Sequence, residues 1–307
     1  MKVAVVSITY NDGYKIKEWY EHYLEYKDDL FIHIIVDNNS NPDYRKELKD
    51  TFKNSHIIFR DNNGGCTGAY NDGIKYALSL TEVESIMLLA NDIKLSKSAI
   101  PILSQFLSEN KSVGMVSPIM FHKDSMVNAD FGCDISNMLI MMPFRDGEPF
   151  ESINQSVNFC KALTGGVNLS TRVFYEQVGL QDDNLFMYSD EVDMGLRAKE
   201  KGFKLAAIRD AQSWHQHINK ESNHDRRDSF TKYLAGRNKV YVAKKHFGLI
   251  RGGLVFVYIC TGAIYRLISG LVNGKVFFKD YGMMIFGAFM GLIGNMSQNK
   301  YSQPTEE

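Results

Sequence analysis

The chain has 307 residues, 44% of them hydrophobic and 12% aromatic, and its 35 Lys+Arg against 36 Asp+Glu leave a formal charge of -1. Such a composition excludes a disordered, collagen-like or repeat-dominated chain, and the length suffices for one large domain or two with full cores. Near-neutrality argues against a nucleic-acid partner, which calls for a basic surface, so any charge-driven contact must come from local asymmetry. The four cysteines, Cys66, Cys133, Cys160 and Cys260, have no CxxC or zinc-like spacing and read as reduced thiols. The opening MKVAVVSITY passes straight into NDGYK, too soon for the apolar core of a secretory signal, which points to the cytoplasm.

In chain order, residues 2 to 9 (KVAVVSIT) are β-branched and apolar without alternation, the pattern of a strand buried on both faces of a parallel sheet. After the break Asn11-Asp12-Gly13, the residues Ile16, Trp19, Tyr20, Tyr23 and Leu24 share one face of a helix. Phe31 to Asp37 reads as a second strand, Tyr44 to Phe52 as a short helix, and 56–60 as a third strand. The Gly-rich NNGGCTGAYNDG leads into a helix reaching about Leu80, and residues 85–92 (SIMLLAND) form a fourth strand. This alternation predicts an α/β fold with a mostly parallel sheet.

Open parallel sheets bind ligands beyond the carboxyl ends of their strands. Thr9-Tyr10-Asn11, Asp37-Asn38-Asn39, Asp61-Asn62-Asn63 and Asn91-Asp92 each fall at such an end. Asn, Asp and Gly also favour turns for local reasons, so one such cluster would say little. Four on one rim point to a shared site.

The segments SITYN, IIVDNNS, NNGGCTGAYNDGI and LLAND, followed by ALTGGVNLSTRVFYEQVG, FMYSDEVDMGLRAKEKGFKL and SWH, resemble in order the motifs of the family 2 nucleotide-diphospho-sugar glycosyltransferases. The similarity runs from about Val3 to His246. It implies the GT-A fold, a Rossmann-like mostly parallel sheet, and inverting transfer of a sugar. It also implies a donor-nucleotide site at Thr9, Tyr10, Asn11, Asp37, Asn63, Gly65, Asn71 and Asn91, with Asp37 accepting from a pyrimidine imide N–H. Gly165 and Gly166 belong to the acceptor side.

The family motif places a Mg2+ or Mn2+ ion at an Asp-x-Asp sequence, where carboxylates neutralise the diphosphate leaving group. Here the first position is Ala90, and Asp92 matches the second acid; a helix N-cap ahead of Lys94 to Ile100 is the competing reading. His215 matches a late metal ligand, with His217 as rival and a structural histidine beside Trp214 as the plain alternative. Inverting transfer needs a carboxylate base. The resemblance assigns that role to Glu191 with Asp190 beside it, while acids that complement a helix dipole are the alternative.

From Arg226 to Arg251 the chain carries eight Lys and Arg against Asp228, and the apolar runs 252–265 and 281–296 follow. Each run is shorter than the roughly 20 residues that span a bilayer. The expected arrangement is a catalytic domain over 1–245 and a helical region over 246–307 that attaches to the anionic cytoplasmic face of a membrane; a homo-oligomer interface would bury the same faces. The segment YLAGRNKVYVAKKHFG also resembles the family, so part of the basic stretch belongs with the catalytic machinery.

The resulting expectation is an inverting glycosyltransferase that moves a sugar from dTDP-rhamnose or a UDP-hexose to a hydroxyl of a lipid-linked glycan in cell-surface polysaccharide synthesis. Because Ala90 replaces the first acid, the alternative is an inactive member that binds nucleotide or glycan. A nucleotidyltransferase is disfavoured, since SITYNDG lacks a Gly-rich loop with Arg and Lys after the first strand.

Overall fold

The computed structural model describes residues 1–122, 125–215, 224–272 and 278–296. The elements in order are β1 (Val3–Thr9), α1 (Ile16–Tyr26), β2 (Ile32–Asp37), α2 (Pro42–Thr51), β3 (His56–Phe59), α3 (Gly65–Ser79) and β4 (Ser85–Leu89). Then come β5 (Ile93–Leu95), α4 (Ala99–Glu109), β6 (Val113–His122), β7 (Asn128–Asp130), β8 (Cys133–Ile135), β9 (Met141–Pro143) and β10 (Val157–Cys160). The last are β11 (Val167–Thr171), α5 (Arg172–Val178), α6 (Asp190–Glu200), β12 (Lys204–His215), α7 (His224–Val272) and α8 (Phe278–Ile293). They form two compact units: β1 to β12 with α1 to α6, and α7 with α8 together with the short segments Ser136–Ile140 and Met187–Asp190. A boundary at residue 245 falls inside α7, so the basic stretch groups with the apolar helices.

The main sheet of the first unit has the order β10-β12-β6-β11-β4-β1-β2-β3, with β5 on β12 and β7 on β6. Pairing is parallel across β4, β1, β2 and β3, where helices make the crossovers. Beyond β4 the sheet is mixed: β11 is antiparallel to both β4 and β6, while β12 is parallel to β6. The unbroken apolar run of β1 has a direct cause. Val3 and Val5 feed the core on one face, and Ala4 and Val6 feed the core on the other.

Local sequence sets most boundaries. Helix α1 buries Ile16, Trp19, Tyr23 and Tyr26, whereas Leu24, expected inside, is 44% exposed. The steps of three, four and three hold the buried set on one stripe, and Leu24 lies off it. Helix α2 starts two residues earlier than expected because Asn41 accepts from the Tyr44 N–H (2.9 Å) and Pro42 occupies the first turn. Strand β4 stops at Leu89, so Ala90–Asp92 is a turn before β5, and the next helix begins only at Ala99. Asp92 is therefore not a helix cap.

In the second unit, α7 breaks at Gly248 (φ 81°). A Cβ on Gly252 would stand 2.9 Å from the Lys244 Cβ. Eight residues of straight helix would separate these positions by about 12 Å, so the chain folds back on itself there. Although α7 is long and apolar enough to cross a membrane by length and composition, it does not run as one rod. Helix α8 packs on the first half of α7 through small residues. Cβ atoms on Gly287 and Gly291 would overlap the carbonyl oxygens of Tyr233 and Arg237, and one on Gly236 would overlap that of Met284.

Candidate functional site

The parallel register sets Thr9 beside Asp37, so β1 and β2 end together at one rim. Asp37 is fully buried. Its Oδ2 accepts from Arg45 Nε (2.7 Å) and from the Ser40 N–H (3.1 Å), while Oδ1 has no hydrogen-bond partner among the described residues. Leaving a buried carboxylate oxygen without a donor is costly, and an N–H from a ligand would remove that cost. The neighbouring Thr9 hydroxyl bonds to the Tyr44 hydroxyl. Tyr10 is half-buried beside it.

Several residues expected to face the donor are committed to the protein. Asn11 (φ 50°) donates its N–H to Ser40 Oγ (2.8 Å), and its Oδ1 accepts from Asn41 N (2.9 Å) and Nδ2 (3.0 Å). The two loops at the rim are thereby tied together. Asn63 Oδ1 accepts from Asn38 Nδ2 (2.8 Å) and from the Gly65 N–H (2.9 Å). Both Asn71 amide hydrogens are used, toward the Gln181 carbonyl (2.8 Å) and Asp183 Oδ1 (2.6 Å), and its oxygen accepts from the Gln181 N–H (2.9 Å). These three side chains shape the loops. Gly65 is required twice over: its φ is 71°, and a Cβ there would overlap the Phe186 carbonyl oxygen, to which Thr67 N–H also bonds (3.1 Å).

Asp92 sits between two cationic or potentially cationic groups. Lys15 Nζ is 3.3 Å from Oδ2, and His215 Nε2 is 3.5 Å from Oδ1. The β12–β5 pairing sets His215 opposite Ile93, next to Asp92. Burial by itself raises the Asp92 pKa; the hydrogen bond from His215 and the charge of Lys15 outweigh it and hold the carboxyl at about 2. Lys15 also lies 3.8 Å from Asp12 Oδ2, which accepts from Asn91 Nδ2 at 3.2 Å. Among the described residues no group of three or more His, Cys, Asp and Glu is arranged to hold a metal. One carboxylate and one imidazole suit an ion that takes its remaining oxygens from a diphosphate and water. His217 lies outside the described residues.

Glu191 stands at the start of α6. A Cβ on Gly165 would be 2.7 Å from Glu191 Oε1, so the missing side chain is what admits the carboxylate. The next residue, Gly166, accepts the Ala90 N–H through its carbonyl (2.8 Å), and a Cβ on it would lie 2.6 Å from Ile93 Cδ1. Gly165-Gly166 thus touches Glu191 with one residue and the Asp92 turn with the other. Asp190 is buried. Asp193, in the next turn, is fully buried and paired with Arg197 Nε at 2.8 Å. Before the helix, Phe186 (φ 65°, ψ −58°), Tyr188 (φ 69°) and Ser189 (φ 65°) adopt conformations that L residues avoid. Such residues cost on the order of 1–3 kcal/mol each and cluster at functional sites.

The cations Lys15, Arg45 and Arg60 are absent from the sequence reading. Arg60 bonds Asn38 Oδ1 (2.8 Å) and Asp72 Oδ2 (2.8 Å), and its guanidinium occupies the space above Gly64. A basic residue next to an acidic strand-end cluster was the available signal.

Residues 4–148 match the family model described as Glycosyl transferase family 2, and the chain shares the GT-A fold of the glycosyltransferase structures it resembles. Among relatives, it is 21% identical over 280 residues to the low-salt glycan biosynthesis hexosyltransferase Agl10 of Haloferax volcanii, covering 88% of this chain and 84% of that protein. Among solved structures it resembles GalNAc-T7 with UDP, GalNAc and Mn2+ (TM-score 0.59, 12% identity), covering 78% of this chain but only 51% of that one. It also resembles the mannosyltransferase PcManGT of Pyrobaculum calidifontis in complex with GDP-Man and Mn2+ (TM-score 0.54, 14% identity), covering 97% of this chain and 88% of that one.

Proposed function

We propose that the protein transfers a sugar, with inversion, from a nucleoside-diphosphate donor to a hydroxyl of a lipid-linked glycan. The observation that carries this reading is the Gly165-Gly166 pair, with the Glu191 carboxylate against one residue and the Asp92 turn against the other. In the reaction, Glu191 takes the acceptor O–H proton as that oxygen bonds to C1 of the sugar. The C1–O bond to phosphate breaks, and its electron pair leaves with the nucleoside diphosphate. Asp92 and His215 would hold Mg2+ or Mn2+, which neutralises charge on the leaving diphosphate when bound. Asp37 Oδ1 would accept from the imide N–H of uracil or thymine, which favours a UDP-hexose or dTDP-rhamnose as donor.

The second unit would attach the enzyme to the cytoplasmic face of a membrane. Support comes from the second half of α7, which buries Val255, Ile259 and Ala263 while Ile250 is 84% and Tyr265 72% exposed, close to Arg251 and Arg266 in sequence. The functional test is a panel of nucleotide sugars assayed for release of nucleoside diphosphate with and without Mn2+. Turnover confined to uridine or thymidine donors is expected. Binding of UDP or dTDP with no turnover of any donor would instead identify a binding subunit.

A further inference from the structure

The three residues preceding Asp190 and Glu191 include two non-glycine residues with positive φ, Tyr188 and Ser189, and nothing in their own side-chain chemistry favours that shape. The backbone is held from outside. Asn238, fully buried in α7, donates through Nδ2 to the carbonyl oxygens of Met187 (2.9 Å) and Tyr188 (2.8 Å). A primary amide has two N–H donors and one acceptor. The acceptor, Oδ1, receives the Nε–H of Arg237 at 2.9 Å, so the amide can present only its donors to the two carbonyls. Arg237 is itself fully buried and reaches the Met296 carbonyl through Nη1 (3.2 Å). Guanidinium, amide and two successive carbonyls form one relay that ends on the backbone three residues before Glu191.

We propose that Asn238 is a positioning residue for the base: it fixes the left-handed Tyr188-Ser189 backbone and so sets the point from which Glu191 enters the site. The inference rests on the reading of Glu191 as base. A carboxylate displaced by about 1 Å can lose on the order of 10²-fold in rate while donor binding stays the same. The role asks for N–H donors at this position, not for bulk. Asn238→Asp keeps the size and the Arg237 contact yet offers no N–H to the carbonyls.

The experiment measures kcat and KM for hydrolysis of the nucleotide sugar selected by the donor panel, with water as acceptor. The proteins compared are the full-length wild type, Asn238→Ala, Asn238→Asp, Glu191→Gln and the double variant Glu191→Gln/Asn238→Ala. Both Asn238 variants are expected to lose about 10²-fold in kcat with donor KM within about twofold. They should exchange the backbone amides of 187–191 faster, and Asn238→Ala should cost nothing further in the Glu191→Gln background. If Asn238→Ala does not fold, Asn238→Asp is read by the same criteria. A folded variant with wild-type kcat, or a loss that multiplies fully with that of Glu191→Gln, overturns the proposal. Wild-type turnover by Glu191→Gln overturns the base assignment first, and this inference with it.

Discussion

The strand-end rim of the first unit and the α7–α8 helices of the second hold their residues in opposite ways. At the rim, polar side chains bond mostly to one another: Asn11 to Asn41, Asn63 to Asn38, Asn71 to Gln181 and Asp183. What stands out is Asp37 Oδ1, the one carboxylate oxygen among the buried side-chain atoms that lack a partner among the described residues. In the helices, close glycine contacts satisfy one apolar face and the other is left exposed. At a polar rim, then, a binding feature shows as an unmet hydrogen-bond acceptor. On a helix pair it shows as uncovered apolar surface.

The largest effect that would sharpen this contrast is on nucleotide affinity. Asp37→Ala should weaken UDP binding about 10- to 100-fold by calorimetry, the range of a hydrogen bond to a charged group. It should also erase discrimination against CDP, whose base lacks the imide N–H. Unchanged affinity would show that the orphan oxygen faces no base.

Next in size is the glycine packing. Gly287→Ala or Gly291→Ala places a methyl against a helix carbonyl and should destabilise the second unit by about 1–3 kcal/mol in denaturant unfolding. A neutral result would mean that the helices separate at little cost.

A comparable effect belongs to His33. Burial holds its imidazole neutral and lowers its pKa from 6.5 to about 3. The unfolded chain therefore takes up the proton first, so this contribution is complete above about pH 6.5 and is lost as pH falls from there towards 3. Between pH 7 and 5 folding should weaken by about 2 kcal/mol, and His33→Asn should flatten that dependence. A wild-type stability that stays level over this range would contradict it.

The smallest effect concerns the exposed face. Ile250→Glu with Tyr265→Glu should reduce sedimentation with anionic vesicles roughly tenfold and leave donor hydrolysis unchanged. If vesicle binding is intact but the protein shifts from dimer to monomer, the face joins copies of the chain instead.

The first four strands were legible because an apolar run bounded by Asn, Asp and Gly has few other solutions. The reversal of β11 against β4 was not, since it depends on where a distant segment returns and not on its local pattern. Asp37, Asp92, His215 and Glu191 stood out through motif order. The roles of Asn63 and Asn71 were harder to read, because an asparagine that holds a loop and one that holds a ligand look alike in sequence. Lys15 comes 77 residues before Asp92, and Asn238 comes 50 residues after Tyr188. Such pairings exist only once the chain is folded.

In the proposed reaction the Asp92 turn holds the diphosphate while Glu191 activates the incoming alcohol. Measuring UDP affinity in Mn2+ and donor turnover together for Asp92→Asn and Glu191→Gln tests it most directly. Glu191→Gln should lose about 10²- to 10⁴-fold in turnover with UDP affinity intact, and Asp92→Asn should lose the Mn2+-dependent part of that affinity. Two variants with the same pattern of loss, or a Glu191→Gln enzyme that turns over normally, would contradict it.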